Sequence, residues 1–225
     1  MKHINMRAAF LALAFLVFVN AQAYDTGLPS QAIREAYFLG QRNDQKTAAF
    51  LSQYVQPFPL PKSGPHVSEI EMLTPYAQAV QLSMRRTAGY SAQQAEEEYR
   101  KQGDTLRVRV QIRFTPTYGL QAAVSSSQKA TGNSGIQLRA EDFWRDFTFR
   151  LTQQQDGEER SLEPFDVWSE AIYLRPGHGG SSALGGAEVW LLLDAVGVTS
   201  DPVKIEVLTP DGHRFTAEFN LSKLR

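Results

Sequence analysis

The chain has 225 residues, no cysteine, 42% hydrophobic and 21% charged residues, and a formal net charge of -1. The missing cysteine excludes a disulfide framework, a thiolate metal site and a cysteine nucleophile. The near-neutral charge lacks the basic footprint of nucleic-acid binding, and the apolar content argues against wholesale disorder.

The first two dozen residues have the layout of a secretory signal peptide. Lys2 and Arg7 precede an apolar run from Ala8 to Val19, and Ala21 and Ala23 put small residues where a signal peptidase reads. Cleavage is expected between Ala23 and Tyr24, with residues 1–23 removed. The run is shorter than the roughly 20 residues a membrane span needs. The expected product is a mildly acidic chain, secreted or periplasmic, with no stable span after cleavage.

Residues 24–104 read as a helical domain of about four helices. Ser30 is a candidate N-cap. Ile33, Ala36, Tyr37 and Gly40 then share one helical face. Asn43 or Asp44 is suited to cap a second helix, in which Ala48, Leu51 and Val55 line up. Pro57, Pro59, Pro61 and Pro65 break the pattern and suggest an extended connector. From Val67 the spacing of Ile70, Leu73, Ala77, Val80 and Met84 predicts one kinked helix or two short ones. Thr74-Pro75 marks the restart. Ser91 and Gln94 form a capping-box pair ahead of Ala92, Ala95 and Tyr99.

At Thr105 the period changes from 3.6 to 2. Leu106, Val108, Val110, Ile112 and Phe114 alternate with Thr105, Arg107, Arg109, Gln111 and Arg113, a half-buried strand. Further strands are expected at 143–152, 167–175, 187–196, 203–209 and 213–221, with a short one near 159–163. Pro210-Asp211-Gly212 is hairpin chemistry. The predicted class is α+β: a helical region, then an antiparallel immunoglobulin-like β-sandwich over residues 105–225, with a small barrel as the alternative. The segments 116–140 and 176–186 read as long loops.

Motifs that carry chemistry are sparse. His66, His178 and His213 lack metal-ligand spacing and read as surface or turn residues. Ser181 and Ser182 near His178 sit in a glycine loop, unlike a held nucleophile. The same loop lacks the order of a phosphate-binding motif, although Arg175 and His178 are able to meet an anion. Glu141-Asp142 and Asp166 with Glu170 are carboxylate pairs without visible catalytic geometry. Arg107, Arg109 and Arg113 read as a charged, solvent-facing stripe. Arg145 shares the parity of Phe143 and Phe147, which directs it toward the core.

Exposed aromatic planes suit carbohydrate or peptide ligands. Trp144, Trp168, Arg175 and His178 are therefore the candidate binding surface. No catalytic, cofactor or metal residue is assigned. The expectation is a non-catalytic exported protein that binds an envelope protein or polymer. The alternatives are an exported hydrolase acting on peptide or glycan, and a carrier of a small apolar ligand between helices and sheet. The oligomeric state is left open.

Overall fold

The computed structural model describes Tyr24 and residues 26–86, 89–115, 141–155, 157–174 and 183–225. The expected signal segment with Ala21 and Ala23, the 116–140 loop, Arg175 and His178 lie outside the described residues.

Four α-helices are described: α1 (Ser30–Arg42), α2 (Gln45–Leu51), α3 (Pro75–Arg85) and α4 (Ala92–Gln102). The strands are β1 (Val55–Pro57), β2 (Pro65–Leu73), β3 (Thr105–Phe114), β4 (Thr148–Gln155), β5 (Glu158–Ser161), β6 (Asp166–Leu174), β7 (Ala183–Asp194), β8 (Pro202–Leu208) and β9 (Arg214–Asn220). They form two antiparallel sheets. The five-stranded sheet has the order β1-β2-β3-β7-β6 and the four-stranded sheet β5-β4-β8-β9. Among the described residues no helix is long and apolar enough to cross a membrane.

Local chemistry sets the helix starts. The Asp44 carboxylate accepts from the Lys46 and Thr47 N–H groups at 2.9 and 3.1 Å. Thr74 caps α3 with Pro75 in its first turn, where the missing proline N–H costs nothing. Ser91 and Gln94 make the reciprocal capping box of α4. Ser30 differs from its expected role: it is the first helical residue, Pro29 is the N-cap, and the serine hydroxyl donates to Glu96 of α4. Each side-chain cap satisfies backbone donors that the helix leaves open. Ser91→Ala is expected to lower stability by about 1 kcal/mol and Asp44→Ala to lower it as well, additively because the caps are separate. Urea midpoints of the two single variants and the double variant check this.

The main correction lies at residues 65–73, which are strand and not helix. The ladder pairs Val67 with Ile112, then Glu69 with Gln111 and Ile70 with Val110, so Ser68 is the extra residue of a β-bulge. A bulge inserts one residue into the alternation. It puts Val67 and Ile70, three apart, on the same face, a spacing that imitates a helical turn. Val55, expected on a helical face, opens β1 and pairs with Glu71. The prolines between β1 and β2 occupy a hairpin connection. The β2–β3 ladder therefore joins residues on either side of the expected boundary at 104/105.

Two smaller corrections follow. Residues 143–146 form a short 3-10 turn ahead of β4. Arg145 is exposed there, its guanidinium 5.4 Å from the Trp144 ring centroid, and does not enter the core. β7 begins at Ala183, so the end of the expected 176–186 loop is strand.

Burial follows the alternation. One apolar cluster takes Ile70 and Met72 of β2, Val108 and Val110 of β3 and Val189 of β7 from the larger sheet. From the smaller it takes Leu151, Val203, Ile205, Val207 and Phe219. A second cluster lies among the helices, with Ile33 and Ala36 of α1, Tyr76 and Val80 of α3, and Ala95 and Tyr99 of α4. Gln78 of α3 joins the two parts by donating to the carbonyls of Leu73 and Thr105 at 3.1 and 2.6 Å. Arg225 ties the far end down: its guanidinium meets Glu35 at 2.6 Å and lies 4.3 Å from the Tyr76 ring centroid.

Candidate binding surface on the five-stranded sheet

Side chains alternate across a sheet, so the five-stranded sheet has two chemically distinct faces. Ile70 and Met72 of β2, Val108 and Val110 of β3, and Val189 and Leu191 of β7 face the shared core. The opposite, outer face carries the polar half of the alternation. Strand register arranges it in cross-strand rows. One row reads Glu71, Arg109, Trp190, Trp168 across β2, β3, β7 and β6. The next reads Glu69, Gln111, Glu188, Glu170, and on the other side Leu73, Arg107, Leu192, Asp166.

Arg109 is the hub. Its Nη2 meets Glu69 at 2.6 Å, its Nε meets Glu71 at 2.8 Å and its Nη1 meets Glu188 at 3.0 Å. Gln111 also donates to Glu188, at 3.1 Å. Burial works against the Arg109 charge, and Glu71, Glu188 and Glu69 more than offset it, so the guanidinium is held above its usual range. Glu71 is only 4% exposed. Burial pushes its carboxyl up, and Arg109 pulls it back only in part. Three carboxylates share one guanidinium, which compensates only one of their negative charges if all are ionised. The expected solvent-facing arginine stripe is therefore corrected at its centre: Arg109 is half-buried and fully engaged.

Trp190 and Trp168 stack with ring centroids 6.1 Å apart and an interplanar angle of 13°. The Arg107 and Arg109 guanidinium carbons each lie 5.8 Å from the Trp190 ring centroid. Trp190 is thereby covered to 8% exposure, while Trp168 is half-buried. Two buried donors on this face, Trp190 Nε1 and Arg107 Nε, have no hydrogen-bond partner among the described residues. Burial and neighbouring Arg85 press the Arg107 charge down, with Glu71 in partial support. Both donor atoms are closed off from solvent, so each carries the cost of a buried, unsatisfied donor.

Beside the stack lies β6, at the edge of the sheet. Of the seven large hydrophobic residues exposed among the described residues, Phe165, Val167, Tyr173 and Leu174 belong to β6 or immediately precede it. Tyr173 donates its hydroxyl to the Glu141 carboxylate.

The other sequence candidates fall elsewhere. Trp144 precedes β4 of the smaller sheet and is half-buried against the main core, away from the Trp168–Trp190 row. Tyr24 is half-buried, with its hydroxyl donating to the Ala195 carbonyl at 2.8 Å. Burial, with Asp104 and Asp194 nearby, raises its phenol well above the usual value. His66 is 5% exposed on β2, correcting its expected surface position, and burial pushes its imidazole down. His213 is exposed near the β8–β9 turn. Among the described residues no group of three or more histidines and acids is placed to hold a metal. The crevice between α3 and α4, lined by Gln78, Leu82 and Tyr99 among others, encloses only about 10 Å³. That is room for about one water and not for an apolar ligand.

Glu69, Glu71 and Glu188 were not among the sequence candidates. Two of them lay in the stretch read as helix. Comparison with known proteins finds no matching family model, no matching curated protein and no matching solved structure.

Proposed function

We propose that this chain is an exported, non-catalytic binding protein. Its contact surface is the outer face and the edge strand β6 of the five-stranded sheet, and its partner is an envelope protein or polymer. The observation that carries the reading is the half-buried Trp168, stacked on Trp190 beside the exposed apolar residues of β6. Aromatic planes flanked by exposed apolar side chains mark interaction surfaces on otherwise polar proteins. Export rests on the charged, apolar and small-residue order of residues 1–23. The immunoglobulin-like description of the sandwich belongs to the same reading, supported by two antiparallel sheets that share a core.

A photo-cross-linking amino acid placed at Phe165 in the native host tests the contact surface. The expected result is an adduct with one envelope component, lost in Trp168→Ala. A matched probe at Glu97, exposed on α4, is expected to give no such adduct. Equal adducts at both positions, or none at Phe165, would overturn the reading. N-terminal sequencing of the exported form is expected to begin at Tyr24; an intact Met1 on a cytoplasmic protein would refute export.

A further inference from the structure

We infer that β6 is a docking edge for an extended peptide segment that is basic on one face and apolar on the other, added to the sheet as a sixth strand. The inference rests on the binding-protein reading and names its partner class. β6 spans nine residues, and β7 is its ladder partner among the described residues. The backbone groups on its other edge are bonded to no other described strand. Such an edge is a template for strand addition, in which main-chain hydrogen bonds give affinity and alternate side chains give specificity.

Natural proteins often blunt an open edge with lysine or proline. β6, with sequence DVWSEAIYL, contains neither. Its charges are acidic and lie on one face. Asp166 and Glu170 share the outer face with Trp168 between them, and Glu188 of the neighbouring strand stands opposite Glu170. Glu188 is engaged by Arg109, whereas neither Asp166 nor Glu170 has an ion-pair partner among the described residues. The other face carries Val167, Ser169 and Ala171, small or apolar and partly open at the edge.

This pattern selects the occupant. A docked strand meets Asp166, Trp168 and Glu170 with three residues of its own, spaced two apart. Cations opposite the two acids and an aromatic or aliphatic residue over Trp168 satisfy all three. Apolar residues between them cover Val167 and Ala171. A second copy of this chain is disfavoured in the registers that centre on Trp168 or Glu170. Two-fold antiparallel pairing centred on Trp168 places Asp166 against the other copy's Glu170, twice. Pairing centred on Glu170 places the two glutamates together. Like charges directly opposite destabilise a strand pair.

The test uses the full-length protein and a fluorescein-labelled peptide of alternating valines, with lysine, phenylalanine and lysine at three successive outward positions. Anisotropy at low salt is expected to show saturable binding. The peptide with glutamates for lysines is expected to bind at least about tenfold more weakly. Asp166→Lys combined with Glu170→Lys is expected to reverse that preference. Methylating the peptide's alternate backbone nitrogens separates strand addition from charge attraction, because only one edge of the peptide faces β6. One methylated set is expected to abolish binding and the other to retain it. That comparison uses the unaltered protein, so it decides even where the charge-reversed variant fails to fold. Equal binding of lysine and glutamate peptides overturns the inference, as does equal binding of both methylated sets. A dimer that dissociates on charge reversal at β6 makes a second copy the occupant and also overturns it. If the peptides fail while the Phe165 adduct persists, strand docking falls and the broader binding reading stands.

Discussion

Arg109→Met is expected to destabilise the fold by about 3–5 kcal/mol at neutral pH, as loss of one member of a buried ion pair does. The cause is what stays behind. Glu71 is 4% exposed and cannot recover its water without opening the sheet. Glu69 and Glu188 lose the same guanidinium. Burial already pushes the Glu71 carboxyl up with Arg109 in place, and removing the cation pushes it further. A carboxyl whose folded pKa exceeds its unfolded value, near 4.3 for glutamate, binds protons preferentially in the folded state. Stability then falls as pH rises from the unfolded value through the raised folded one. The deficit of Arg109→Met is therefore largest at pH 7 and shrinks as pH approaches 4. Adding Glu71→Gln is expected to restore part of the loss at pH 7 and little at pH 4. Urea denaturation of the parent, single and double variants at both pH values checks this. A deficit independent of pH would show that the arginine contributes packing and not charge.

The same cluster shows where sequence reading reaches its limit. β3 was legible to its end residues, because Leu106 to Phe114 alternate without interruption. The β8–β9 hairpin was legible from Gly212, whose φ of 86° suits glycine at the turn. The Asp44, Thr74 and Ser91 caps were legible because capping is a local contract between neighbours. β2 was not. Its bulge at Ser68 disguises period 2 as a helical spacing, and with it vanished the direction of Glu69 and Glu71. The contacts of Arg109 also span 38 to 79 residues along the chain, so they exist only once the register of β2, β3 and β7 is set. Trp168 and Trp190 were visible as aromatics. Their stacking depends on the same non-local register, while Trp144 lies in the 3-10 turn ahead of β4.

Gly40→Ala offers a test in which helix propensity and tertiary packing predict opposite signs. Gly40 lies inside α1, where propensity alone favours alanine by about 1 kcal/mol. A Cβ at this position, however, would lie 2.3 Å from the Val80 carbonyl oxygen and 2.7 Å from Ser83 Cβ. Neither group is the end of a flexible side chain. The oxygen belongs to the α3 backbone, and Ser83 is fully buried with its hydroxyl bonded to the Ala79 carbonyl. Gln41 fastens the same approach by donating to the Ser83 carbonyl at 2.6 Å. The two helices can admit a methyl group only by moving apart, which loosens Ile33 and Ala36 against Tyr76 and Val80. Overpacking of this kind costs typically about 1–3 kcal/mol against the propensity gain of about 1 kcal/mol, so Gly40→Ala is expected to lose about 1 kcal/mol net. Ser83→Gly in the same chain removes one clash and leaves the carbonyl, so it should rescue only part of the loss. A raised urea midpoint for Gly40→Ala would mean that α1 and α3 do not approach this closely. The packing of the helical cluster would then need another account.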